Sequence, residues 1–193
     1  MRLMMTGPRF LLLICVLSLL RAEARAATPI DPEKSSITVR VLKAGLFSAF
    51  GHEHEISAPI QRGSLTENPA SVELTVDVRK MKVMDKGISD KDRAEIQQTM
   101  LGHKVLDSEK FPEIRFRSTR VEPLGEGKWS LLGELTIRDQ TRPAKVRVEG
   151  KNGRYHGVAD LKQKDFGITP VVVAGGTVRV KNELRVEFDI VSK

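Results

Sequence analysis

Between Phe111 and Ile168, apolar and polar side chains alternate with a period of two, and this restricts the fold more than anything else in the 193-residue chain. Ile114, Phe116 and Ser118 fall on one side of an extended backbone, while Glu113, Arg115 and Arg117 fall on the other. Trp129, Leu131, Gly133, Leu135 and Ile137 oppose Ser130, Glu134, Thr136 and Arg138 in the same way. Such spacing predicts strands that are dry on one face and wet on the other.

The same period runs through Ile37–Val41, Val72–Val78, Ala144–Val148, Tyr155–Leu161 and Leu184–Ile190, with Asn152-Gly153 marking a hairpin turn. Residues 55–65 are also expected to be extended, although Pro59 and Gly63 interrupt the pattern. Consecutive half-wet strands must hide their edges, and an up-and-down barrel does so by closing on itself. The expected fold is therefore all-β: an antiparallel eight-stranded barrel with one short helix. That helix is predicted over Ser89–Leu101, with Ser89 as N-cap, Asp90 and Asp92 in its first turn and Gly102 just past its end. Ile96 and Met100 share one helical face, and Met81, Met84 and Ile88 precede it as further parts of a lid. The small inward residues Gly133, Ala144, Gly157 and Ala159 either bring the opposite wall close or leave a cavity.

The N-terminus has a different character. Arg2 and Arg9 precede an apolar run from Phe10 to Leu20, followed by Ala24-Arg25-Ala26. This is the layout of a secretory signal peptide, and the run is shorter than the roughly 20 residues a spanning helix needs. Residues 1–26 are read as a signal peptide and 27–193 as one barrel domain, exported to the periplasm. Cleavage would remove the sole cysteine, Cys15, and with it any disulfide, thiol nucleophile or thiolate metal site. It would also remove Arg2, Arg9, Arg21, Arg25 and Glu23, lowering the formal charge from +7 to +4. The remaining charges alternate in sign along wet strand faces, a solvated exterior and not a nucleic-acid-binding stripe.

Three segments, Phe111-Pro112-Glu113-Ile114-Arg115-Phe116, Gly133 to Pro143 and Phe166-Gly167-Ile168, resemble in wording and order the YceI-like family of exported bacterial proteins. The chain departs from the family at Ser35-Ser36, where many members carry His-Ser, and at Met100-Leu101-Gly102-His103, where others have an aromatic-acidic stretch. The resemblance implies a lipocalin-like barrel whose interior holds a long isoprenoid or related amphipathic lipid, for transport, storage or sequestration. The partner expected is this lipid, with no nucleic acid and no transmembrane segment after signal cleavage; whether the chain forms a homodimer is left open. No cofactor is expected beyond a bound polyisoprenoid or fatty lipid.

Candidate ligand-binding residues are Phe47, Phe50, His52, Ile114, Phe116, Trp129, Leu135, Ile137, Phe166, Ile168 and Phe188. Some of these must simply fill the core. Trp129 suits a barrel mouth, where its ring is buried and its N–H stays near water. His52 and His54 would project from one face of an extended segment. They form the alternative site, for a metal ion, with His103, His156 or Glu55 as a third ligand. Catalysis finds no support: there is no Gly-x-Ser-x-Gly elbow and no phosphate-cradling glycine loop. The carboxylates face water, where nothing tunes them for acid–base work.

Overall fold

The computed structural model describes residues 26–44, 53–67, 70–173 and 178–193. Phe47, Phe50 and His52, and residues 1–25, lie outside the described residues.

Twelve strand segments form one sheet: β1 (Thr28–Pro29), β2 (Ser36–Ala44), β3 (His54–Ser57), β4 (Ile60–Glu67), β5 (Ala70–Asp77), β6 (Lys82–Val83), β7 (Glu113–Gly125), β8 (Lys128–Ile137), β9 (Gln140–Lys151), β10 (Arg154–Lys162), β11 (Val172–Val173) and β12 (Val178–Val191). A single α-helix, α1, spans Asp90–Leu101. Twelve segments replace the expected eight strands because three wall strands are bent and β11 is added beside β12. β1 and β2 are two halves of one strand, parted around Pro32. β3 and β4 are parted at Ala58-Pro59, and β5 and β6 by the 3-10 turn Val78–Lys80. Proline has no N–H to give a ladder, so a strand yields there.

With each pair of halves taken together, every wall strand pairs antiparallel with the next in sequence, and β11 adds only a short ladder beside β12. The ring then closes where β12 pairs with β2, with Phe188 opposite Ile37 and Val186 opposite Val39. A bridge between Ile30 and Ser192 extends the closure. The sheet is thus curled into an eight-strand up-and-down circuit, the small closed architecture expected from the alternation.

Alternation places the walls correctly except at a few polar positions, since Thr75 and Asp77 on the wet side of β5 are buried, at 7% and 4% exposed. Leu131, Gly133, Leu135 and Ile137 are buried while Leu132 and Glu134 are exposed. Ser130, assigned to the wet face, is instead only 4% exposed, and its Oγ has no hydrogen-bond partner among the described residues. It sits between Glu122 and Arg147 on the flanking strands, and a short side chain between two long ones is covered by them.

The helix lies where a cover is expected. The Ser89 hydroxyl accepts the Asp92 N–H at 3.1 Å, capping the first turn. Gln97 ties α1 to the chain ahead of it, accepting from the Val83 N–H at 2.9 Å and donating to the Met81 carbonyl at 2.8 Å. Met81 and Met100 are buried, Ile96 and Leu101 pack on the core, and Met84 is half exposed. The larger core cluster contains Met81, Met100, Leu106, Phe166 and Ile168. A smaller one gathers Leu131, Val146, Val148 and Ala159, and Phe116, Tyr155, Val186 and Phe188 pack against both.

Candidate functional site

The inward faces of the strands enclose a cavity of about 1170 Å³, lined overwhelmingly by aliphatic and aromatic side chains. Its two ends differ. One is covered: Met81, Met100, Val105, Leu106 and Ile168 close it, and none of the charged lining residues among those described lies there. The other is a rim made by the turns after β4, β7 and β9, where Glu67, Glu126, Lys128, Glu149, Lys151 and Arg154 line the opening. Acidic and basic groups balance there, and several pair: Lys128 with Glu149 at 3.5 Å, and Arg154 with Asp189 at 2.5 Å.

Of the residues singled out in the sequence, Ile114, Phe116, Trp129, Leu135, Ile137, Ile168 and Phe188 all line the cavity. Trp129 sits at the rim, its ring edge-on to Tyr155 with centroids 5.9 Å apart. Burial, and after it the nearby Glu67 carboxylate, push the Tyr155 phenol above its usual range. Phe166 does not line the cavity. It is 3% exposed and belongs to the core, because the 3-10 turn Gln163–Phe166 breaks the strand parity. Gly167, at φ 70°, ends that turn in the left-handed region.

The inward glycines resolve the choice between a close wall and an open space. A Cβ on Gly133 would come within 2.6 Å of the Phe116 ring, and one on Gly157 within 2.7 Å of the Phe188 ring. Each phenyl therefore lies against glycine backbone on the neighbouring strand. That posture leaves the lumen open.

Several lining residues carry no sequence flag as ligand contacts, among them Val39, Val41, Ile56, Val146, Val148, Val186 and Gln163. For most of them the signal was present in the parity of their strands.

The histidine pair is divided between described and undescribed residues. His54 Nδ1 lies 2.5 Å from Asp85 Oδ2, and the other Asp85 oxygen accepts the Glu55 N–H at 2.7 Å. The Asp85 side chain is 1% exposed. Arg93 of α1 donates to the Asp85 backbone carbonyl, so this contact fastens the lid segment to β3. His103 and His156 are exposed. Among the described residues, no group of three or more His, Cys, Asp or Glu is placed to hold a metal ion. No helix among them is long and apolar enough to cross a membrane.

These features define a class: a small antiparallel β-barrel, lipocalin-like in arrangement, with an apolar lumen open at a charged rim. The YceI-like domain family model matches residues 29–192, nearly the whole barrel, and the chain belongs to that family. Among its relatives, a UPF0312 protein of Vibrio cholerae is 29% identical over 140 residues, covering 65% of this chain and 68% of the relative. A UPF0312 protein of Shewanella sp. is 27% identical over 159 residues, covering 76% and 79%. In fold, the chain is similar to Burkholderia cenocepacia BcnA, with TM-score 0.62, 20% identity, and 85% of this chain and 99% of that one covered. The Campylobacter jejuni YCEI protein superposes with TM-score 0.51 at 14% identity, covering 72% and 81%.

Proposed function

We infer that this protein is exported to the periplasm and binds a long-chain isoprenoid or related amphipathic lipid in its lumen, for transport, storage or sequestration. The observation that carries this reading is a continuous apolar cavity whose charged lining residues, among those described, gather at one rim. Drug-sized ligands occupy pockets of about 300–1,000 Å³. At about 30 Å³ per non-hydrogen atom, the size of a water or methylene, 1170 Å³ holds roughly 40 such atoms. Each methylene moved from water into this lining gains about 0.8 kcal/mol. A long hydrocarbon can therefore bind tightly with few polar contacts. The export half of the reading rests on the Arg2–Ala26 leader.

One measurement addresses both halves. Native mass spectrometry of protein recovered from the periplasm should give a chain beginning near Ala27 that carries a hydrophobic adduct. Repeated recovery of the bare chain from a lipid-competent host would sink the carrier reading, and an intact Met1 would sink cleavage.

A further inference from the structure

Gln163 is the polar exception at the covered end of the lumen. It is only 6% exposed, yet it lines the cavity. Its place in the fold fixes its carboxamide. The backbone carbonyl of Gln163 accepts the Ile168 N–H at 3.1 Å, holding the turn beside the lumen wall. Its Nε2 donates to the Lys181 carbonyl at 2.7 Å, where β12 bulges between Val180 and Leu184. Because the partner is a carbonyl, the amide cannot be turned the other way without losing the bond. That leaves Oε1 and the second N–H without a protein partner among the described residues. An amide half-satisfied among aliphatic side chains is costly unless something polar completes it.

We propose that Gln163 receives a neutral hydrogen-bonding group of the ligand, a hydroxyl or carbonyl, at the covered end of the lumen. This rests on the reading of the lumen as a lipid site, and it adds which chemistry enters first. A free Oε1 accepts from a hydroxyl, and the spare N–H donates to a carbonyl. A carboxylate or phosphate is disfavoured at this depth, because among the described residues no cationic lining residue is there to compensate it. Among the described residues, charged groups have partners at the rim, through Lys128, Lys151 and Arg154.

The test uses the mature chain and two probes of equal length, hexadecanol and hexadecane, with affinities measured by competition for the lumen. In Gln163→Met, which keeps the side-chain length and removes both polar atoms, the alcohol-to-hydrocarbon affinity ratio should fall about fivefold, the contribution of one neutral hydrogen bond. Loss of the Lys181 contact affects both probes alike and cancels in the ratio. An unchanged ratio overturns the proposal while leaving the carrier reading in place. Failure of both probes to bind the unmodified protein overturns both. A second readout needs no variant: the Gln163 side-chain amide resonance should shift with hexadecanol and stay put with hexadecane, and equal behaviour with the two probes overturns the proposal.

Discussion

At Gly157 a Cβ would meet the Phe188 ring, and at Gly133 it would meet the Phe116 ring. Two hydrogens in place of two side chains thus decide whether two phenyls lie along the wall or stand in the lumen. Gly157→Val would bring a Cβ within 2.0 Å of the Arg147 backbone carbonyl as well as against the Phe188 ring, so it is expected to push the β9–β10 pairing apart, an overpacking that costs about 1–3 kcal/mol. Urea denaturation should register that loss, and a hydrophobic probe should bind more weakly to whatever folds. Undiminished stability would mean that both the neighbouring strand and the ring have room to shift. The glycines could be read as inward from parity, but the ring each receives sits on another strand and is not visible in a period of two. The Asp85 partner of His54 was hidden for the same reason, being 31 residues away. Gln163 carries a signal in the sequence, since it continues the inward parity of Ala159 and Leu161.

Strands and helix were legible to different depths. Strand positions followed from alternation because each wall strand has one wet face. The bends did not, since a proline says where a ladder weakens and not how far each half continues. The helix showed itself through Ser89 and Gly102. What holds it over the lumen, two hydrogen bonds from Gln97 to residues 81 and 83, depends on tertiary placement. Gln97→Ala should orphan the Val83 N–H and the Met81 carbonyl, at about 1–3 kcal/mol for each group that stays buried. Amide hydrogen exchange should then speed up across 82–101 while β7 to β10 keep their protection. Uniform acceleration over the whole chain would show that the lid is not a separate unit of stability.

Over the whole molecule, the wet face is a lattice of ion pairs. Arg62 foremost, with Arg115, holds Glu113 below its ordinary 4.5; Arg154 holds Asp189, and Arg79 holds Asp77, below their ordinary 3.8. Carboxylates lowered by folding stabilise the native state fully above the unfolded values. That contribution is lost as pH falls through the lowered folded ones. Stability should therefore decline as pH drops below about 4.5, with a shallower decline in Arg154→Gln; equal slopes would show that the exposed Arg154–Asp189 pair adds nothing, as surface pairs often do. The barrel has one more property at this scale. The breaks in its first three wall strands lie at one level, since Ala58 bonds to Ile37 and Ile60 stands opposite Val76 just before the Val78–Lys80 turn. A fully laddered cylinder resists any change of girth, because each strand is stitched to two neighbours along its length. A crease across three adjacent staves interrupts that stitching along one line, and on the carrier reading proposed above it is where the wall would yield to cargoes of different thickness.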